Sequence, residues 1–108
     1  MTPEEILSYP AKILTQEQRE HYFKYGYVGI KDIVPSDTLH LIKQVTNEFV
    51  DKSREVKESN NVFDIGPGHS HENPVLRRLK SPDENHQEYW NFSKGIMADV
   101  ASDLVGPN

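Results

Sequence analysis

The chain contains no cysteine. That excludes a disulfide framework, a thiolate zinc site and a thiol nucleophile. No apolar stretch approaches the roughly 20 residues needed to cross a bilayer. Positive charge is also short: 12 Lys and Arg stand against 17 Asp and Glu, for a formal net charge of −5. Gripping a nucleic-acid backbone takes clustered basic side chains. The dense basic cluster here is Arg77-Arg78-Leu79-Lys80, too small to reverse the balance. Neither nucleic acid nor membrane is expected as a partner. The first ten residues are acidic and lack the apolar run of a secretory signal, so a soluble, cytoplasmic protein is the default expectation.

Large apolar residues are sparse too. Leu, Ile, Val and Phe make up a quarter of the chain, and mean hydropathy is −0.71. This lies above the level of about 20% at which disorder becomes the rule. It predicts a folded chain with a thin core, whose apolar faces call for a covering surface from elsewhere. A length of 108 residues bounds the chain at one domain or less.

Residues 1–13 read as an N-terminal arm. A helix is then expected from Thr15, whose hydroxyl can cap free N–H groups while Gln18 reaches back to close a capping box. It should run to Tyr25 and stop at Gly26, since glycine enters the left-handed conformation without strain. Residues 27–33 (Tyr-Val-Gly-Ile-Lys-Asp-Ile) form the clear strand candidate, with Val28 and Ile30 on one face.

Pro35-Ser36-Asp37 punctuates the chain again, with Ser36 as the expected cap of a long helix over residues 36–58. Leu39, Ile42, Val45, Phe49, Lys52 and Val56 recur at steps of three and four, an apolar stripe with a Lys stem lying along it. Residues 59–73 lose all periodicity. Asn60-Asn61 is turn-prone and Gly66-Pro67-Gly68 forbids helix. Asn73 and Pro74 then suggest a short helix through Leu79. Ser81-Pro82-Asp83-Glu84 reads as a second capping box. It opens a helical stretch with Tyr89, Phe92, Ile96, Val100 and Leu104 on one stripe, split at Gly95 and ended at Gly106-Pro107. The expected content is three or four helices and one strand: an α+β segment, mostly helical, with no room for a complete sheet.

Chemistry-bearing residues concentrate in and after the loop. His69-Ser70-His71-Glu72 brings together metal-ligand types, with His86 further on. A metal site needs three or more ligands on a rigid frame, and a Gly-Pro-Gly loop supplies little rigidity. His69 and His71 are therefore read as candidate substrate contacts at a pocket mouth, not as metal ligands. Arg77 and Arg78 are candidates to grip a carboxylate or phosphate through the guanidinium fork. Gly66-x-Gly68 lacks the remainder of a P-loop or dinucleotide fingerprint. Asp83 and Glu84 are helix-start charges, and no nucleophile–base pair has usable spacing. No catalytic, cofactor-binding or metal residue is assigned from the sequence.

The order of these parts is more specific than any one of them. Leu14-Thr15-x-Glu17-Gln18 leads to Phe23 and Tyr25-Gly26-Tyr27-Val28-x-Ile30, then to Val34-Pro35-Ser36-Asp37 and the long helix. Leu76-Arg77-Arg78-Leu79, Tyr89-Trp90 and Asp103-Leu104-Val105-Gly106-Pro107 follow. Over residues 14–108 this resembles the N-terminal part of the phytanoyl-CoA dioxygenase family.

The resemblance implies several things. The whole protein would be a non-haem, Fe(II)- and 2-oxoglutarate-dependent hydroxylase of a small-molecule substrate. The catalytic core would be a double-stranded β-helix, or jelly roll, lying downstream. The iron would be held by a His-x-Asp pair and a distant His, and 2-oxoglutarate by an Arg further on. No His-x-Asp occurs here; by position it would follow the helix ending at Gly106. The implied role of residues 14–108 is support, with the 59–73 loop as a substrate lid, and the implied partner is the remainder of the catalytic domain. The chain alone would not be an enzyme. Two other readings stand beside this one: a small helical protein-interaction module, and a metal-binding protein built on His69, His71 and Glu72.

Overall fold

The computed structural model describes residues 1–107. It is α+β, about half helical, with a two-stranded antiparallel sheet. The helices are α1 (Pro3–Ser8), α2 (Gln16–Tyr25), α3 (Ser36–Ser53), α4 (Pro82–Asn85), α5 (Gln87–Lys94) and α6 (Ile96–Val105). The strands are β1 (Phe63–Ile65) and β2 (Leu76–Leu79). No helix among the described residues is long and apolar enough to cross a membrane. The chain divides into two compact units. One comprises Met1–Val34 with the segment from Phe92 onward; the other is Pro35–Asn91.

In the first unit, the expected arm contains a helix. Thr2 and Glu5 form a capping box at the start of α1, and Ile6 is buried. Helix α2 begins and ends as its sequence predicts. The Thr15 hydroxyl accepts from Gln18 N–H, the Gln18 side chain accepts from Thr15 N–H, and Gly26 closes the helix at φ 80°. Helix α6 follows Gly95 and stops at Gly106, with φ 104°. Ile6, Leu14 and Val100 supply the buried apolar side chains of this unit.

The strand expected over residues 27–33 does not form. Lys31 and Asp32 turn, with Asp32 at φ 54°. A strand needs a hydrogen-bonded neighbour, and alternation in one segment cannot supply it. Instead the Tyr27 carbonyl accepts from His21 Nδ1 at 3.0 Å, folding the segment back on α2.

In the second unit, α3 starts one residue earlier than its expected cap implied. Pro35 is the N-cap and its carbonyl accepts from Leu39 N–H at 2.9 Å, so Ser36 is the first helical residue and makes no cap bond. The helix ends at Ser53, short of residue 58. Val45 and Phe49 carry the buried stripe, while Leu39 at the same spacing stays 44% exposed. Phe49 lies near Phe63, His86 and Tyr89, with ring centroids 6.2–6.3 Å away, and the Lys52 ammonium sits 4.8 Å over its ring.

The aperiodic stretch 59–73 contains β1, and the helix expected at 74–79 is β2. Asn60 makes the turn that starts the hairpin: its side-chain oxygen accepts from the N–H groups of Val62 and Phe63. Phe63 pairs with Leu79, Asp64 with Arg78 and Ile65 with Leu76. Leu76 and Leu79 stand at a helical spacing, which a regular strand would put on opposite faces. Pairing with β1 makes the segment a strand, and the register shift between Asp64 and Ile65 sets Leu76 opposite Ile65 and Leu79 opposite Phe63. The Ser81 box also fails. Ser81 sits at φ 45° with no side-chain cap bond, α4 is a single turn, and the chain breaks at extended His86 before α5.

Candidate functional site

In the hairpin of the second unit, His69 and His71 lie in the connection between β1 and β2, and Arg77 and Arg78 lie on β2 itself; His86 falls outside it, after α4. His69 is anchored by both ring nitrogens. Nε2 lies 2.9 Å from the Ser53 carbonyl and 3.0 Å from that of Val56; Nδ1 accepts from Val75 N–H at 2.9 Å. This assigns a neutral ring with the proton on Nε2, since two acceptors face one nitrogen and a donor faces the other. The ring thereby satisfies carbonyls at the C-terminal end of α3. A metal ion would need a nitrogen lone pair that the Val75 N–H already holds.

His71 is exposed. Its Nε2 lies 3.0 Å from Glu55 and its Nδ1 4.0 Å from Glu72. Its carbonyl accepts from Arg54 Nη1 at 2.7 Å. So the 66–75 connection is tied to the end of α3 by one ring and one guanidinium. Its own turns are closed by Gly66 N–H to the Val75 carbonyl and Ser70 N–H to that of Asn73. The Gly-Pro-Gly sequence suggested mobility; these contacts order the loop.

Arg77 and Arg78 converge on Asp64. Arg77 donates from Nε and Nη2 at 3.2 and 3.3 Å, and Arg78 from Nε at 2.7 Å. The Asp64 carboxylate is almost fully covered, while the two arginine side chains remain 63% and 67% exposed. Hydrogen bonds from Arg77 and then Arg78 hold its pKa below the ordinary carboxylate value, against the opposing effect of burial, with their charges adding to the shift. Sequence reasoning identified both arginines and missed Asp64. It could have been found only as the one acid facing Arg78 in a hairpin, a pairing invisible while 59–73 reads as loop.

No protein-family model, curated protein or solved structure matches this chain.

Elsewhere, the first unit holds an open groove of about 470 Å³ beside Thr15, His21 and Tyr27, whose side chains are engaged in capping and ring contacts. The donor chemistry of the chain does not fit an iron centre. It has no His-x-Asp. Among the described residues, no three His, Cys, Asp or Glu side chains gather to hold a metal.

Proposed function

We propose that this chain is the N-terminal, supporting part of an Fe(II)/2-oxoglutarate-dependent dioxygenase resembling the phytanoyl-CoA dioxygenase family. The observation that carries the reading is the ordered series of signals along residues 14–107. A Thr15 capping box and a Gly26 stop are followed by the Val34-Pro35 turn, an 18-residue helix and a terminal helix closed at Gly106. The apolar residues left outside support it as well. Leu39, Leu41 and Trp90 are exposed, as expected of faces that a jelly-roll core would cover.

In this reading the iron and 2-oxoglutarate belong to the remainder of the catalytic domain, and no residue of this chain is assigned to either. The 66–75 connection and β2 are the substrate-facing surface. His69 holds that surface in place, while His71, Arg77 and Arg78 are the side chains on it that a substrate can meet.

The decisive experiment uses the gene. The reading frame is extended past residue 108, the product is purified, and succinate formation from 2-oxoglutarate is followed with Fe(II). The expected result is a His-x-Asp shortly downstream and turnover abolished by its His→Ala variant. A stop codon directly after residue 108, with sharp cooperative unfolding of the 108-residue protein, would sink this reading. It would favour a small interaction module using the exposed Leu39 and Leu41 of α3.

A further inference from the structure

Neighbouring residues of a regular strand project to opposite faces. Arg77 and Arg78 are neighbours, yet both guanidiniums reach one carboxylate. The cause is a bulge. Asp64 pairs with Arg78 and Ile65 with Leu76, so Arg77 is the extra residue of β2. A bulge re-aims a side chain at the expense of regular ladder pairing.

A single guanidinium would neutralise Asp64. The second leaves the cluster with one net positive charge, in a chain whose formal charge is −5. The donors are not exhausted either. A guanidinium carries five N–H groups. Arg77 uses Nε and Nη2 on Asp64, and Arg78 uses Nε. The Nη1 of Arg77 and both Nη atoms of Arg78 have no protein acceptor among the described residues. Asp64 thus restrains two cations by their inner edges and leaves outer edges facing solvent. Restraint of this kind lowers the ordering cost of binding, and paired guanidinium N–H groups match the spacing of carboxylate and phosphate oxygens.

We propose that Arg77 and Arg78, held side by side by Asp64 across the hairpin bulge, bind the oxyanion group (carboxylate or phosphate) of a small-molecule ligand. That the ligand is a dioxygenase substrate rests on the function proposed above; the anion site itself rests on the geometry of the hairpin. Asp64 is a positioning residue in this arrangement.

The test follows the arginine Nε–H resonances of the intact protein by NMR, without iron or 2-oxoglutarate. Sodium phosphate and sodium acetate are titrated separately against sodium chloride at constant ionic strength. Saturable shifts of the Arg77 and Arg78 signals with either oxyanion, and none with chloride, are expected. Saturation by acetate alone identifies a carboxylate ligand, and by phosphate alone a phosphoryl group. Arg78→Lys keeps the charge but loses the fork, and should weaken binding by about fivefold or more. Lys80→Gln removes a nearby charge that donates to the Asn60 carbonyl, and should leave the affinity within about twofold of the original, as expected of an exposed charge. Linear shifts without saturation, or an Arg78→Lys protein that binds as well as the original, would overturn the proposal. Because no turnover is read, anion binding without 2-oxoglutarate consumption by the extended protein would refute the dioxygenase reading and leave this site standing.

Discussion

Asp103 and Arg19 join segments of the first unit that are far apart in sequence. The Asp103 carboxylate accepts from the consecutive N–H groups of Lys12, Ile13 and Leu14 at 2.8–2.9 Å. The Arg19 guanidinium, 2% exposed, donates to the carbonyls of Ile6, Tyr9 and Asp103 and to the Gln16 side chain. It thereby places a cation and donors at the C-terminal end of α1, where carbonyls lack helical partners. Burial alone would raise the Asp103 pKa. The three N–H donors and the Arg19 charge outweigh it, and the net shift is downward. A depressed folded-state pKa stabilises the fold above the ordinary value of 3.8, and that contribution is lost as pH falls through the folded value. Asp103→Ala, which strands three N–H groups, should cost about 3 kcal/mol at neutral pH in urea unfolding. Asp103→Asn should give a shallower loss of stability below about pH 4 than the original chain. Equal acid slopes for the two proteins would show that this carboxylate is not linked to folding.

At the scale of elements, the local signals that came through have their partners within four residues. The Thr15–Gln18 box closes over three residues and Gly26 needs only its own φ. Thr15→Ala should therefore destabilise by about 1 kcal/mol, read as a lower thermal midpoint. The hairpin is the opposite case, because each strand requires the other. Gly66 marks where they meet: a Cβ there would lie 2.9 Å from Val75 Cγ1. Gly66→Ala should thus weaken the hairpin, and hydrogen exchange at the Lys80 amide, which donates to the Val62 carbonyl at 2.7 Å, should accelerate. Unchanged exchange would mean that Val75 moves aside freely. Ser81 shows how a motif can mislead. Ser-Pro-Asp-Glu is the right string for a capping box, but the chain arrives from β2 with φ 45°, which denies the hydroxyl its bonding position.

For the whole molecule, the sparse apolar content matches the core. The buried large hydrophobics are Ile6, Leu14, Val45, Phe49 and Val100, divided between two units. Such small cores give weak cooperativity when they stand alone. Thermal unfolding of the 108-residue chain, followed by circular dichroism, should show a broad transition that neither Fe(II) nor 2-oxoglutarate moves. A metal-dependent rise in the midpoint would contradict the placing of both groups outside this chain. Phe49→Ala removes a ring beside Phe63, His86 and Tyr89 and should cost about 3 kcal/mol or more.

The sequence alone determined what short-range chemistry can determine. It excluded disulfides and thiolate sites, placed α2, the body of α3 and the breaks at Gly26, Gly95 and Gly106, and pointed to Arg77 and Arg78. Periodicity and capping are read from neighbours a few residues apart, so no tertiary knowledge is needed. The tertiary structure decided the rest. It withheld a partner from residues 27–33 and gave one to residues 76–79. It turned His69 into an anchor for the end of α3, and it brought Asp103 to Lys12, Ile13 and Leu14 across about ninety residues. It also folded Asp64 beneath two arginines through a one-residue bulge. A strand, a buried carboxylate and a satisfied ring are each defined by a group distant in sequence, and only the folded chain supplies that group.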